Sequence, residues 1–246
     1  MLDLGARTGS FQTARTDIAV IRLDLEVLPG RIAGLYCAGD AARLPFAAGA
    51  FTAVISNHSL EHFVELDAVL REIGRVMAPG ASLYVAVPDA GTLADRIYRW
   101  LGRGGGHVNA FRSAEQVARL VEERTGLRLR SVCTLYASLS FLNAHNFTAR
   151  PPRKIALFGF GNERFLAVLV WLLRGIGGSS SRYGWSFYFG SFAPEHVEEW
   201  VNVCVRCGSG HSGMYLRKRR AIPPTLRVIT PYRCPVCGGF NLLTRE

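Results

Sequence analysis

The sequence lacks a long apolar run and has no leader-like segment at its N-terminus. Its longest apolar run, Phe165–Leu173, covers nine residues between Arg164 and Arg174, whereas a membrane-spanning helix needs about 20. The first residues, MLDLGARTGS, do not show the basic region followed by an apolar stretch that marks a secretory signal. We therefore expect a globular protein without a transmembrane segment, located in the cytoplasm.

Lysine is also scarce, although the formal net charge is +10. Only Lys154 and Lys218 are lysines, and the arginines are scattered apart from one basic cluster, RKRR at residues 217–220. Nucleic-acid binding requires positive charges that are grouped against phosphates. The distribution therefore favours a solvated basic surface, and a nucleic-acid partner stays the less favoured alternative.

Short apolar runs alternate with amphipathic helical patterns over about the first 140 residues. This alternation predicts an α/β fold with a Rossmann-like, doubly wound and mainly parallel sheet. The predicted strands are MLDL, DIAVIRLDL, RIAGLYCAGD, FTAVISN, ASLYVAVP and LRLRSVCTLYASLSF. Helical spacing predicts a helix from Val64 to Met77 that stops at the following Pro-Gly pair, and AGTLADRIYRWLG is also helical in pattern. A further helix is predicted between the N-cap Ser113 and Gly126.

Residues 143–178 break this rhythm with an apolar, glycine-rich stretch flanked by arginine. We interpret the stretch as a helical insertion that forms a lid or cap. Two alternatives stay open: a core helix that covers the sheet, and a helix that lies in a membrane interface. YGWSFYFGSF then fits a seventh strand that pairs with the sixth. The chain accordingly divides into residues 1–140, residues 141–197 with the insertion and the last strand, and residues 198–246.

Six cysteines are present, and four of them form two CxxC pairs near the C-terminus. These are Cys204, Cys207, Cys234 and Cys237, and each pair is followed directly by a glycine. Four thiolates in two such pairs form a tetrahedral zinc site, and the glycines suit tight turns that aim backbone N–H groups at sulfur. The pattern predicts a structural zinc-ribbon-like module, with a redox pair or unligated thiols as alternatives. A closed four-sulfur site has no open coordination position, so we assign it no catalytic role.

Acidic residues follow three successive predicted strands. Asp3 ends the first strand and is followed by Gly5 and Gly9, Asp24 ends the second strand, and Asp40 follows the third. In a doubly wound sheet these positions face the ligand crevice, where glycines let a nucleotide-like ligand approach the backbone and a carboxylate accepts both ribose hydroxyls. Asp24 is placed for the ribose, and Asp40 for an adenine amino group.

At these residues the sequence resembles the class I S-adenosylmethionine-dependent methyltransferases, and more narrowly the small-molecule type 11 or UbiE-like group. The resemblance is carried by LDLGARTGSF, RLDLE, GDAARLPFAAGAFTAVISNHSLEHF and LREIGRVMAPGASLYVAVP. It covers about the first 140 residues, and residues 39–88 form its most specific part. It implies a methyltransferase that uses S-adenosyl-L-methionine as its cofactor.

The resemblance also implies a role for individual residues. Asp3, Gly5 and Gly9 would line the methionine end of the cofactor. Asn57 and His58, just past the fourth strand, would close over its amino-acid portion.

The ribose would be held by Asp24, while Asp40 and Ala41 would sit at the adenine. The sequence departs from the family pattern at Arg7, where glycine is common. Only SFQTART separates Gly9 from the second strand, so we expect a short loop in place of the usual first helix. The first strand begins without the usual lead-in segment, which indicates a late start or a truncated N-terminus.

The sulfonium of S-adenosylmethionine is an activated methyl donor, so the protein needs mainly to align an acceptor and exclude water. A general base is needed only where the acceptor must lose a proton. His58 and His107 are our candidates for that base. His62 fits better as a residue that starts or caps a helix, and we interpret Glu61 as structural.

Two functions from different classes follow from these patterns. The first is a methyltransferase that acts on a small-molecule or lipid-like acceptor beneath the insertion. The second is a non-catalytic binding module, whose zinc-ribbon-like segment and basic cluster contact a protein or nucleic-acid partner. Arg7 and the short loop after Gly9 motivate the second hypothesis.

Overall fold

The computed structural model describes residues 1–6, 10, 18–26, 35–101, 106–146, 163–176, 182–192, 201–219 and 229–244. Arg7, Gly9, the SFQTART loop beyond Ser10 and most of the predicted glycine loop lie outside the described residues. The chain divides into two compact units. The first contains residues 1–90, 106–133 and 184–195, and the second contains residues 91–105, 134–183 and 196–246.

Seven strands form the sheet, and they follow the predicted apolar runs. They are β1 (Leu2–Leu4), β2 (Ile21–Asp24), β3 (Leu35–Ala38), β4 (Phe51–Asn57), β5 (Met77–Pro88), β6 (Leu129–Tyr136) and β7 (Arg182–Gly190). Their order is β3-β2-β1-β4-β5-β7-β6. β1 to β5 pair in parallel, and β7 runs antiparallel to β5. The predicted mainly parallel, doubly wound sheet is thus confirmed, as is the pairing of the seventh strand with the sixth.

Three predicted helices are present in the structure. They are α1 (Leu66–Val76), α2 (Leu93–Leu101) and α3 (Ala114–Thr125). The predicted caps of α3 are confirmed, because the Ser113 hydroxyl accepts a hydrogen bond from the Gln116 N–H and Gly126 has a left-handed backbone. The prediction for the start of β5 was wrong. The strand begins directly after α1, because Met77 is buried and pairs with Phe51, and the Pro-Gly pair lies at an irregularity within the strand rather than ending an element.

The core of the first unit lies on the central strands and on the helix face turned to them. Successive side chains of the central strands are buried, as in β1 and in the last four residues of β5, because each face of a doubly wound sheet is covered. The members of its hydrophobic cluster with no measurable exposure are Leu2, Leu4, Leu70, Ile73, Val76, Leu83, Val85, Val87, Val121, Phe187 and Phe189. This packing fixes the carboxyl ends of β1 and β4 side by side at the point where the strand order reverses, which is where such sheets bind ligands.

The second unit contains both the helix of the insertion and the cysteine module. The helix is α4 (Glu163–Ile176), and the module contains β8 (Asn202–Val203), β9 (Gly210–His211), α5 (Gly213–Lys218), β10 (Pro231–Arg233) and β11 (Phe240–Leu242). The buried side chains that they share form one hydrophobic cluster: Ala137, Leu139, Leu142, Leu166, Ala167, Val170, Val205 and Leu242. The helix of the insertion is therefore a core helix of the same unit as the cysteines. The predicted division into residues 1–140, 141–197 and 198–246 stays a prediction.

No helix among the described residues combines the length and the apolar character that crossing a membrane requires.

Candidate active site and metal centre

The turn after β1 brings the backbone close to the turn after β4. Gly5 has a φ of +66°, a conformation that favours glycine. A Cβ atom at this position would lie 2.5 Å from the Cβ of Ser59. The N–H groups of Gly5 and Ala6 both donate to the carbonyl of Leu23, at 2.9 and 3.2 Å. A side chain at Gly5 therefore has neither the backbone conformation nor the space that it needs.

Asp3 is fully buried, and its carboxylate is hydrogen-bonded within the protein. Its two carboxylate oxygens accept hydrogen bonds from the hydroxyl and the N–H of Ser10, at 2.6 and 2.9 Å. The Nε of Arg22, on the neighbouring strand, lies 3.9 Å from the same carboxylate. Asp3 thus ties the ends of the glycine turn together, and its role as a residue lining the cofactor stays a prediction.

His58 adopts a backbone conformation that is rare for a residue other than glycine. Its φ is +53°, and such outliers persist where the surrounding structure fixes them. The N–H of His58 donates to the carbonyl of Ala86 at 2.9 Å, and the next turn is closed by a buried 2.6 Å hydrogen bond between the hydroxyls of Ser56 and Ser59. The imidazole Nδ1 lies 3.6 Å from Oε1 of Glu61. The imidazole is thereby held at the carboxyl end of β4, next to Asn57.

Asp24 stands at the carboxyl end of β2, two strands from β4. Its Oδ1 accepts a hydrogen bond from the N–H of Leu25 at 2.8 Å. Its backbone carbonyl accepts one from the N–H of Gly39 at 2.9 Å, which ties the chain after β3 to the end of β2. Since both strands are parallel to β1, Asp24 lies at the same edge of the sheet as Gly5.

Asp40 follows β3 and shapes the turn in which it lies. Its Oδ1 accepts a hydrogen bond from the N–H of Ala42 at 2.9 Å, and its Oδ2 lies 3.2 Å from a guanidinium nitrogen of Arg43. Ala41 is buried. The turn therefore presents its backbone beside a small apolar side chain, an arrangement that suits a flat adenine ring.

His107 packs against His62, a contact that the sequence did not predict. The two rings meet edge to face with their centroids 4.9 Å apart. Glu61, interpreted from the sequence as structural, lies beside them and is 2% exposed. One ligand atom from each of Glu61, His62 and His107 falls within 4.8 Å of the others. The adjacent acid and imidazole in LEH were the only local signal, because His107 is distant in sequence.

The four predicted cysteine ligands meet in the second unit, and all are free thiols. Sγ of Cys204 lies 3.6 Å from Sγ of Cys237, and Sγ of Cys207 lies 3.8 Å from Sγ of Cys234. Four sulfurs bound tetrahedrally to zinc at about 2.3 Å are separated by about 3.8 Å. The sulfur positions therefore fit a tetrahedral zinc ion.

The two CxxC turns have the same hydrogen-bond pattern. In each turn the N–H of the trailing glycine donates to the carbonyl of the first cysteine at 2.9 Å: Gly208 to Cys204, and Gly238 to Cys234. Both glycines have a positive φ, of 75° and 70°. In addition, the N–H of Arg206 points at Sγ of Cys204 at 3.4 Å. Backbone N–H groups aimed at sulfur stabilise thiolates, which are the form that binds metal.

Cys234 is the thiol most readily ionised. Burial opposes its ionisation, but hydrogen bonds from the Ser209 hydroxyl, from backbone N–H groups and from His211 outweigh burial and lower its pKa to about 6. Burial raises the pKa of Cys204 above its usual value. A metal ion thus meets a Cys234 thiol that ionises readily and displaces a proton from Cys204.

Glu163, the first residue of α4, connects this helix to both CxxC turns. Its Oε2 accepts a hydrogen bond from Nε of Arg206 at 2.6 Å, within the first turn. Its Oε1 accepts one from the N–H of Phe240, just after the second turn. Asn143 adds a hydrogen bond to the carbonyl of Val205 at 3.1 Å. The cysteine module is therefore bonded to α4 by charged and polar groups as well as by the shared apolar cluster.

Comparison with known proteins agrees with the fold. A family model described as a methyltransferase domain, Methyltransf_11, matches residues 2–85. Malonyl-(acyl-carrier protein) O-methyltransferase of Methylococcus capsulatus is 34% identical over 181 residues, which cover 63% of this chain and 66% of that enzyme. Demethylmenaquinone methyltransferase of Mycolicibacterium vanbaalenii is 52% identical over 48 residues, 20% of this chain and 21% of that enzyme.

Among solved structures, the cyclase SpnF superposes with a TM-score of 0.51 and 20% identity, over 77% of this chain and 73% of its own. A likeness at this identity shows the fold alone. The chain spans less than two thirds of the length of the two curated relatives. The strand order, the glycine turn at the switch point and the family match over residues 2–85 lead to the same assignment. The sheet-bearing unit of this chain has the fold of the class I S-adenosylmethionine-dependent methyltransferases, and its residues 2–85 match the methyltransferase-domain family.

Proposed function

We propose that the protein transfers a methyl group from S-adenosylmethionine to a small-molecule or lipid-like acceptor. The observation that carries this proposal is the family match over residues 2–85, which contains the glycine turn and the end of β4. The names of the two curated relatives, one acting on malonyl-(acyl-carrier protein) and one on demethylmenaquinone, support the acceptor class. Because the fold of this chain also occurs in a cyclase, the fold alone does not identify the reaction. The non-catalytic alternative is not favoured.

The proposed cofactor position follows the carboxyl edge of the sheet. Gly5, with Asp3 and Gly9, would let the methionine end approach the backbone. Asp24 would accept the ribose hydroxyls, because it ends the strand next to β1. The adenine would lie in the turn at Asp40 and Ala41.

The methyl end would lie by the turn after β4. Asn57 and His58 close this side, and the fixed backbone of His58 gives its imidazole a defined position. When bound, S-adenosylmethionine would supply an activated methyl group on its sulfonium, and these residues would hold that group where a lone pair of the acceptor could reach it. Where the acceptor carries a proton, His58 would take it, or His107 where no metal ion is bound to it.

We further propose that Cys204, Cys207, Cys234 and Cys237 hold a structural zinc ion. The sulfur separations and the repeated turn geometry support this assignment. Zinc bound by four thiolates supplies folding energy rather than catalysis. The ion would stabilise the second unit.

Replacing Asp24 by alanine tests the cofactor position. We expect S-adenosylmethionine to bind about 10- to 100-fold more weakly, because the ribose hydroxyls lose a charged hydrogen-bond acceptor. Isothermal titration calorimetry measures the change. Glu26→Ala is the control, since Glu26 is an exposed acid two residues further on and should bind cofactor as the unmutated protein does. Absence of cofactor binding by the unmutated protein would refute the proposed function.

A further inference from the structure

Glu61, His62 and His107 form a cluster of ligating side chains outside the cysteine module. Glu61 and His62 lie in a short 3-10 turn, Leu60–His62, and His107 comes from the segment that leads to α3. One ligand atom of each lies within 4.8 Å of the others. The cluster follows the end of β4 by only three residues, so it lies at the edge of the sheet where the family binds its cofactor.

The buried carboxylate of Glu61 is only partly satisfied by interactions with its surroundings. Glu61 is 2% exposed, and its Oε2 has no hydrogen-bond partner among the described residues. Its Oε1 is 3.6 Å from the Nδ1 of His58. A carboxylate removed from water is costly unless it is paired or bound to a metal. A cation placed between Glu61 and the two imidazoles would supply the missing interaction.

The two segments that carry the cluster are joined by four hydrogen bonds. The carbonyl of Glu61 accepts from the N–H groups of Val108 and Asn109, at 2.8 and 3.0 Å. The side-chain amide of Asn109 donates to the carbonyls of Leu60 and Phe63, at 2.9 and 2.7 Å. His107 is therefore held next to the 3-10 turn by its immediate neighbours, as a preformed metal site requires.

The surroundings of His62 suit a metal ligand. Its Nδ1 lies 3.3 Å from the carbonyl oxygen of Gly106. Metal-binding histidines usually donate one ring N–H to such a carbonyl, and this leaves the lone pair of the other nitrogen for the metal. A hydrogen bond from Nδ1 would leave Nε2 of His62 to bind the ion.

We propose that Glu61, His62 and His107 bind a divalent transition-metal ion of the zinc type, separate from the cysteine site. Two imidazoles and one carboxylate are a ligand set that binds zinc and other first-row ions with coordination positions left open. His62 is exposed, so a further ligand can reach the ion from solvent. If the proposed methyl transfer holds, the open position would accept an oxygen of the methyl acceptor. Binding of the ion itself does not depend on that reaction.

Metal stoichiometry of the full chain tests the proposal. Protein with a filled cysteine site is titrated with Zn²⁺ in a calorimeter, and a second equivalent is expected to bind. In His62→Gln and His107→Gln the second site should weaken at least tenfold, while the first equivalent remains. His145→Gln is the matched control, because His145 is an exposed histidine outside the cluster, and both equivalents should bind to it.

Cobalt identifies the ligands. Co²⁺ added to the zinc-filled protein should give a visible ligand-field absorption without a thiolate charge-transfer band. Saturation of the unmutated protein at one equivalent, a second equivalent that persists in both histidine variants, or a thiolate band would each overturn the proposal. S-adenosylmethionine binding is measured on the same samples. Unmutated protein that binds the cofactor but no second metal counts against the metal site alone, and unmutated protein that binds two metals but no cofactor counts against the proposed function alone.

Discussion

Cys204→Ser is expected to release the zinc ion and to unfold the second unit. Cys204 is fully buried, and its sulfur accepts hydrogen bonds from the N–H of Arg206 and from the side-chain amide of Asn241, both at 3.4 Å. A serine hydroxyl is shorter and is a poor zinc ligand, so the site loses one of its four thiolates. Because zinc binding in small modules contributes about 10–16 kcal/mol to folding, the loss should exceed the stability of the unit.

The measurement is zinc content together with thermal unfolding. The variant should hold one zinc ion fewer per chain than the unmutated protein and should lose the transition that belongs to the second unit. Cys37→Ser is the matched control: Cys37 lies on β3 in the first unit, and its variant should retain the full zinc content. A Cys204→Ser protein that held as much zinc as the unmutated protein would contradict the proposed metal centre.

Gly5→Ala is expected to abolish cofactor binding, with a loss of affinity above 100-fold. The added Cβ would lie 2.5 Å from Cβ of Ser59, and φ at this residue is +66°. The left-handed conformation alone costs an alanine roughly 1–2 kcal/mol. The remaining strain must move the turn after β1 or the turn after β4, and both border the proposed position of the methionine end.

Calorimetric titration with S-adenosylmethionine, after the thermal midpoint has been measured, separates binding from folding. Gly175→Ala is the control, because a Cβ at Gly175 in α4 meets no atom within 4 Å, and its cofactor affinity should be unchanged. The double variant Gly5→Ala with Ser59→Gly removes the clash but keeps the backbone strain, so it should recover part of the affinity. A folded Gly5→Ala protein with normal affinity would show that the cofactor does not use this turn.

The strands and most helix boundaries followed from local patterns. FTAVISN predicted β4 with the observed bounds, and Ser113 and Gly126 predicted the ends of α3, because strand propensity and capping depend on adjacent residues. The start of β5 was missed, since a Pro-Gly pair normally ends an element and only pairing with Phe51 shows that the strand continues through it. Local rules fail where a distant strand decides the conformation.

The sequence predicted those residues of the site that directly follow successive strands. The sequence placed Asp24 and Asp40 at one edge of the sheet, which the topology confirms. It did not predict that Ser10 would occupy both oxygens of Asp3. It also did not predict that His107 lies beside Glu61 and His62, because this approach depends on hydrogen bonds between distant segments, as between Asn109 and Leu60, which are 49 residues apart. Such contacts have no signature in a single sequence.

The hydrogen bonds that join Glu163 to both CxxC turns would make the stability of the second unit depend on zinc. With zinc held by the four thiolates, metal binding and the packing of α4 become one equilibrium, since the same carboxylate joins the helix to Arg206 and Phe240. As long as the free zinc concentration exceeds the dissociation constant, each tenfold fall in that concentration lowers the free energy of unfolding of the second unit by about 1.4 kcal/mol. The concentration of free metal would then set the fraction of molecules in which α4 is docked.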